Sequence, residues 1–330
     1  MPVLCQIFRK PNPQFHSLER VFAAVSAHLD PAFRQQRAEL PSYSSSLPAM
    51  VRNLRFARTL KADVYHVTGD VHYAVFALPR KKTVLTVHDC VFLRRPAGLK
   101  RSVLKWIFLD WPVRYCTRIT TISEATRQDI LRHTGCRPEK VVVIPNPLNE
   151  MIYQAPRAFD ESCPVILFLG STPNKNLARV IPALDGISCR LVIVGQIPAE
   201  EQKLLQRHNI SYTQRVNLTD RELADQYAAA DLVLFPSLFE GFGLPVAEAQ
   251  KAGRPVVTSN ISPMKEVAGG AACLVDPSDV RSIREGVLAV IGDPALRREL
   301  VEKGLHNIRR FDADEIAAQY AEVYHKIVLS

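Results

Sequence analysis

No pair of cysteines in this chain has the Cys-x-x-Cys spacing. The seven cysteines, at positions 5, 90, 116, 136, 163, 189 and 273, are scattered. That pattern argues against a zinc ribbon or a dithiol redox motif and reads as isolated buried thiols in a reducing compartment. No apolar run approaches the roughly 18–20 residues that a spanning helix needs. The start, MPVLCQIFRKPNPQ, lacks the apolar core and small-residue cleavage site of a secretory signal, and reads as a short strand and a turn. A cytoplasmic protein is expected. No Asp-x-Asp pair or carboxylate cluster stands at a strand end, so no catalytic metal is expected. No nucleic-acid recognition motif is visible either, and nucleic acid is not an expected partner. Glycine is absent from the first 68 residues. There is no internal repeat, and no low-complexity tract exceeds PSYSSSLP.

What is present points to an ordinary globular chain. Its 330 residues suffice for two domains, and an apolar content of 47% can supply their cores. The charge is uneven. Residues 1–150 hold 23 Lys and Arg against 11 Asp and Glu, whereas residues 151–330 hold 19 against 22. The basic excess therefore lies wholly in the first half, which is expected to face something anionic.

In the second half short apolar runs alternate with helical stretches. PVILFLG, RLVIVG, DLVLFP and RPVVTS read as buried strands. NLARVIPAL, AEEQKLLQRH and LPVAEAQKAG read as the helices between them, and Thr219 and Glu222 have capping-box spacing at the head of another. ADVYHVT, KTVLTVHD, RITTIS and KVVVIPN repeat the theme in the first half, with Ser123 as the expected cap of EATRQDILRHTG. Such alternation implies parallel sheets covered on both faces. The expected division is 1–150, 151–310 and a last helix, 311–330, free to pack on either domain.

The most informative stretch is FEGFGLPVAEA, residues 239–249. Strand LVLF delivers the chain to a loop holding Glu240, and a helix starts near Leu244 with Glu248 in its first turns. Ligands of open α/β sheets bind at the carboxyl ends of strands. The bare backbone of Gly241, Phe242, Gly243 and Leu244, beside a helix N-terminus, suits an anion or sugar hydroxyls. Two carboxylates could each accept hydrogen bonds from a diol. On spacing alone, a tight turn followed by a dipole-favoured glutamate explains the stretch equally well.

The stretch resembles the E-x7-E signature of family-4 retaining glycosyltransferases of the GT-B fold. The similarity extends through LFLGSTPNKNLARVIPAL, LVIVG and YAAADLVLFPSLFEGFGLPVAEAQKAGRPVVTSNISPMKEVAGGAACLVDP. It continues more sparsely in TVHD, TISEATRQDI and VVVIPNP. The resemblance implies an α/β protein with two Rossmann-like parallel-sheet domains facing a central cleft. It implies that Glu248 binds the donor ribose, and that Glu240 with the Gly241–Leu244 amides holds the transferred sugar and distal phosphate. Lys175 would neutralise the diphosphate leaving group. Gly170, Ser171, Thr172, Asn176 and Gly195 would complete the donor site, with the 214–218 loop near the base. His88 would reach the donor sugar and acceptor; Asp89 could equally cap the next segment. Many relatives carry arginine where this chain has Ser171, which leaves Arg179 as a possible substitute.

The departures lie in the first half. Relatives usually begin with a strand and a glycine-rich loop, but this chain reads FRKPNPQFHSLERVF. There Pro11 and Pro13 would stiffen the loop, Ser17 could cap the helix, and Arg9 and Lys10 could reach an anion or equally be a solvated pair. Residues 92–111, FLRRPAGLKRSVLKWIFLDW, mix five basic residues with Leu, Trp, Ile and Phe. An interfacial helix has that composition, with Trp106, Phe108 and Leu109 apolar and Lys100, Arg101 and Lys105 basic; so does a core helix with a wet basic face. The expected activity is transfer of a hexose from GDP-mannose or a UDP-hexose to a glycan or lipid-linked acceptor, without a further cofactor. The expected mechanism is front-face attack with retention, the departing phosphate taking the acceptor proton. An anionic membrane surface is a candidate partner. Alternatives are an inactive nucleotide-sugar binder, or a GT-B epimerase or phosphorylase.

Overall fold

The computed structural model describes residues 1–11, 17–94 and 98–329. The chain forms two compact units, Met1–Pro147 with Phe311–Ser330, and Leu148–Arg310.

The first unit contains a parallel sheet of six strands: β1 (Val3–Phe8), β2 (Arg34–Glu39), β3 (Val64–Val67), β4 (Thr83–Val87), β5 (Arg118–Thr121) and β6 (Val141–Val143), in the order β2-β1-β3-β4-β5-β6. The central strands β3 and β4 are buried at every position, as expected where helices cover both faces. β2, with sequence RQQRAE, was not anticipated. It is an edge strand that buries only Ala38, so it carries no apolar run for a pattern to reveal. Ser123 caps helix Glu124–Thr134, accepting from Thr126 N at 3.2 Å.

The helix Ala313–Val328 belongs to this unit and buries Ile316, Tyr320, Tyr324 and Ile327 among Leu4, Phe8, Phe22 and Val84. Burying each such side chain contributes about 1.5–3 kcal/mol. A polar contact fixes its register. His66 Nδ1 lies 2.7 Å from the Tyr324 hydroxyl, and His66 Nε2 lies 2.7 Å from Thr86 Oγ1. Burial pushes the imidazole down to about 3, so it is held neutral between two hydroxyls.

The second unit contains a second six-stranded parallel sheet: β7 (Val165–Leu169), β8 (Arg190–Val194), β9 (Tyr212–Arg215), β10 (Leu232–Phe235), β11 (Val256–Ser259) and β12 (Cys273–Val275), in the order β12-β11-β10-β7-β8-β9. The chain enters at β7, runs outward through β8 to β9, and then crosses to β10 on the other side of β7. The strand order therefore reverses between β7 and β10, where a doubly wound sheet leaves a crevice. Thr219 and Glu222 cap the helix Asp220–Ala229 reciprocally, as their spacing predicts.

Candidate active site

Three loops leave the carboxyl ends of β10, β7 and β8, which are neighbours in the sheet. Each carries residues singled out in the sequence. After β7, Gly170 has φ +88°, and a Cβ there would lie 2.9 Å from Cγ and Cε of Lys175. After β8, Gly195 has φ +138°, and a Cβ there would lie 3.0 Å from Ser171 Oγ. Both positions combine a backbone that disfavours L side chains with no room for one. Gly170 lets the Lys175 side chain fold back over its own loop, and Gly195 lets the β8 loop approach the β7 loop at Ser171.

Lys175 ends a short 3₁₀ turn, Pro173–Lys175, and its ammonium reaches the β10 loop. Nζ lies 2.7 Å from Glu240 Oε1, with the side chains 19% and 15% exposed. It also sits 4.7 Å from the centroid of the Phe235 ring. Asn174 supports the pair: its Nδ2 donates to Glu240 Oε1 at 3.2 Å and to the Phe239 carbonyl at 3.1 Å. Its own carbonyl accepts from Leu238 N at 2.8 Å. The sequence reading missed Asn174, although its place beside Lys175 was a usable signal. Thr172 is exposed, and its hydroxyl donates to Asn174 Oδ1 at 2.7 Å.

Asn176 does not face the crevice in the way expected of a donor-binding residue. It is 2% exposed, and its Nδ2 donates to the carbonyls of Pro236 and Pro277 at 3.0 and 2.7 Å. Its Oδ1 accepts from Arg179 at 3.0 Å, so Arg179 is committed to the loop as well. Asn176 ties the β7, β10 and β12 loops together. Its left-handed backbone, φ 72°, turns the chain into the helix Leu177–Ala183.

Gly243, at φ +100°, precedes the helix Leu244–Lys251, which has no side-chain cap. Gly241 and the buried Phe242 lie between Glu240 and that helix, whose second residue, Pro245, has no N–H and whose Val246 N donates to the Gly243 carbonyl at 3.0 Å. Glu248 is 8% exposed and accepts from the Tyr227 hydroxyl at 2.7 Å. Burial first, and then the neighbouring carboxylate, push the Tyr227 phenol well up, so it stays a donor. Tyr227 was not anticipated; nothing in YAAADL marks it as a carboxylate partner.

His88 belongs to the first unit. Its Nε2 lies 2.7 Å from the Thr68 carbonyl. Gly69, at φ +142°, leaves the space that the ring occupies, since a Cβ there would fall 2.5 Å from His88 Cδ2. Burial outweighs the nearby carboxylates and lowers the His88 pKa. The ring lines a cavity of about 290 Å³ with Asp70, His72, Asp89, Phe92, Leu104 and Phe108. His72 bonds the Phe108 carbonyl, and burial lowers its pKa too. Asp89 caps the short helix that follows, accepting from Val91 N at 2.9 Å.

Strand order in the first sheet reverses between β1 and β3, and Arg9 spans that point. Its Nε donates to Glu19 at 2.9 Å and its Nη1 bonds Asp70, beyond β3. The cation proposed for an anion is thus paired within the protein. Lys10 lies 4.8 Å over the Tyr43 ring. Pro13 falls outside the described residues, and Ser17 is the first residue within the helix Ser17–His28.

In residues 98–111 the faces divide differently from the sequence expectation. Leu109 is fully buried and Phe108 packs edge-on to Tyr73, at 5.8 Å between centroids. Lys105 is paired with Asp110 at 2.7 Å. Among the described side chains the exposed apolar ones are Val103, Trp106 and Trp111, and the two indoles lie 4.7 Å apart.

Comparison with known proteins agrees with this architecture. A Glycosyltransferase Family 4 model matches residues 11–150, and a Glycosyl transferases group 1 model matches residues 163–293. The two together cover most of the chain, which belongs to the family-4 glycosyltransferases of the GT-B fold. It is 27% identical over 294 residues to the O-antigen chain mannosyltransferase B of Escherichia coli, covering 81% of this chain and 75% of the relative. It is also 27% identical over 309 residues to the MMP alpha-(1->4)-mannosyltransferase of Mycolicibacterium hassiacum, covering 84% and 74%. The crystal structure of Anabaena HepE in complex with UDP-glucose aligns over 98% of this chain and 99% of that one, with TM-score 0.79 and 16% identity. The protein is a glycosyltransferase. No helix among the described residues is long and apolar enough to cross a membrane.

Proposed function

We propose that this enzyme transfers a hexose, with mannose first among the candidates, from a nucleoside diphosphate sugar to a hydroxyl of a glycan or lipid-linked acceptor, with retention at the anomeric carbon. The observation that carries the donor reading is the Lys175–Glu240 pair in the β7/β10 crevice, a cation and an anion held side by side. An arriving diphosphate competes for the ammonium, while the carboxylate becomes available to sugar hydroxyls. As the glycosidic bond lengthens, negative charge grows on the leaving phosphate. Lys175 and the Gly241–Leu244 amides then stabilise the transition state more than the ground state. Glu248, fixed by Tyr227, supplies an acceptor for a vicinal diol such as the ribose. Front-face attack, in which the departing phosphate takes the acceptor proton, needs no carboxylate behind the anomeric carbon. No cofactor or metal is required in this reading, and activity is expected to survive EDTA.

Mannose is favoured because two relatives are named mannosyltransferases. Assembly of a cell-surface polysaccharide or lipopolysaccharide is the matching context, with the enzyme at the cytoplasmic face of a membrane. Support for that location comes from the basic excess of residues 1–150 and the exposed Val103, Trp106 and Trp111. A thermal-shift screen of GDP-mannose, UDP-glucose and UDP-galactose, followed by product analysis with and without acceptor, tests the reading. GDP-mannose should stabilise most, and the anomeric configuration of product should match the donor. Stabilisation without transfer to any hydroxyl acceptor would point instead to a nucleotide-sugar binder.

A further inference from the structure

At the amino ends of β10 and β11, opposite the crevice, the second unit carries a cavity of about 530 Å³. That lies within the ~300–1,000 Å³ range of small-molecule pockets. Residues 154–159 form one wall, the helix Pro294–Asn307 the other, and Asp231 with residues 253–255 the floor. Nothing in the transferase reading uses it.

Four arginines, 157, 254, 297 and 298, line this space. Asp231, its side chain fully buried, takes Arg157 Nε at 2.8 Å and Nη2 at 3.4 Å. Arg297 stacks 4.1 Å over Phe159 and pairs with Glu161. Arg254 differs from both. It is 5% exposed, yet its Nε and Nη2 meet only backbone carbonyls, of Tyr227 at 3.1 Å, Ala228 at 2.8 Å and Ala155. No carboxylate hydrogen-bonds it; Asp231 attracts it only at a distance, and burial, with Arg157 nearby, lowers its pKa. Among the described residues no acceptor meets Nη1 of Arg157, Nη1 of Arg254 or any nitrogen of the exposed Arg298. The acidic residue left over is Glu302, exposed on the same helix as Arg298. The lining therefore holds four cations against the two carboxylates of Asp231 and Glu302, and three of its side chains keep unspent N–H donors. Pro156, Phe159, Pro255 and Val301 supply an apolar flank.

Guanidinium groups with unspent donors in a partly desolvated recess select tetrahedral dianions, which can accept from several donors at once. We propose that this cavity is a second ligand site that takes a small organic phosphate. The phosphate lies on Arg157, Arg254 and Arg298, and an apolar or ring-shaped body lies against Phe159 and Val301. The site is separate from the donor crevice, which lies at the carboxyl ends of the strands of the same sheet.

Phenyl phosphate combines the two features and serves as the probe. Calorimetric titration into the full chain carrying Lys175→Ala, which removes the cation of the donor crevice, should give saturable binding. Arg298→Glu in that background should weaken it at least tenfold, and Glu302→Gln should tighten it several-fold. Both positions are exposed on a helix surface, so the fold should tolerate them. Phenol should bind far more weakly than phenyl phosphate. Absence of saturable binding in the Lys175→Ala protein, or an affinity that Arg298→Glu and Glu302→Gln leave unchanged, would overturn the proposal. Loss of phenyl phosphate binding on Lys175→Ala alone would assign the anion to the donor crevice.

Discussion

Lys175 Nζ and Glu240 Oε1 stand 2.7 Å apart although 65 residues separate them in the chain. The contact is made by two loops leaving adjacent strands, β7 and β10, at the point where strand order reverses. With both side chains largely withdrawn from water, desolvation offsets most of their attraction, and the pair is weak evidence for stability. Its consequence lies in where it holds the two charges.

Lys175→Ala is expected to lower kcat about 10²-fold, the usual cost of removing one preorganised donor from a developing oxyanion. Glu240→Gln should lower it at least tenfold. The charge-swapped double variant Lys175→Glu with Glu240→Lys separates catalysis from structure. It rebuilds an ion pair, so thermal stability should stay near that of the parent, but it points the cation from the wrong loop and should remain inactive. Steady-state kinetics with the donor found in the screen provides the measurement. Near-native turnover in both single variants would remove this crevice from the reaction.

Tyr227→Phe tests the support of the second carboxylate. The substitution keeps the ring and deletes one hydroxyl, leaving Glu248 without the donor it has at 2.7 Å. Weakening the hydrogen bonding of a buried carboxylate costs about 1–3 kcal/mol, readable as a shift in urea midpoint. Because Glu248 is assigned to the ribose, away from the breaking bond, the donor KM should rise several-fold while kcat holds. A fall in kcat at constant KM would place Glu248 nearer the chemistry than the ribose.

Much of this site was legible because its residue types answer local demands. Gly170, Gly195 and Gly243 stand where φ is positive, and the first two also stand where a Cβ would strike Lys175 or Ser171. Lys175 and Glu240 lie in loops that end apolar strands, where strand–helix alternation alone places the ligand edge. What escaped was set by tertiary contact. Asn174 and Tyr227 matter through partners 65 or 66 and 21 residues away, and Asn176 turns inward to carbonyls 60 and 101 residues away. Strands β2 and β9 escaped for a different reason. Each is a sheet edge with polar, exposed residues, so neither shows the apolar run that marks a central strand.

The buried histidines give stability a definite pH dependence. His66, at about 3, lies below the ~6.5 of an exposed imidazole. Between those values the unfolded chain binds a proton that the folded chain refuses. The contribution is therefore fully present above about pH 6.5 and is lost as pH falls toward 3. His72 and His88 shift in the same direction, again through burial. Urea unfolding of the full chain at pH 7, 6, 5 and 4, followed by circular dichroism, should show stability falling with acid. His66 should add a slope of up to about 1.4 kcal/mol per pH unit. His66→Gln should flatten that slope by about one proton, whatever it does to stability at pH 7. An unchanged slope would mean that another group carries the linkage.

Membrane docking can be read directly, because Trp106 and Trp111 are the chain's two tryptophans and both lie on the exposed face. Their emission reports on that surface and nothing else. Vesicles rich in phosphatidylglycerol should shift it to the blue and carry the protein down on sedimentation, with roughly 1 kcal/mol for each basic residue brought near the leaflet. Raising salt should reverse most of the binding, since the Debye length falls from about 10 Å at 0.1 M to about 3 Å at 1 M. Trp106→Ser with Trp111→Ser should weaken sedimentation at low salt and leave transfer to a short soluble acceptor intact. Emission that stays constant with both anionic and neutral vesicles would mean that the indole pair meets water or protein rather than lipid. The basic excess of the first half would then have to act on the acceptor itself.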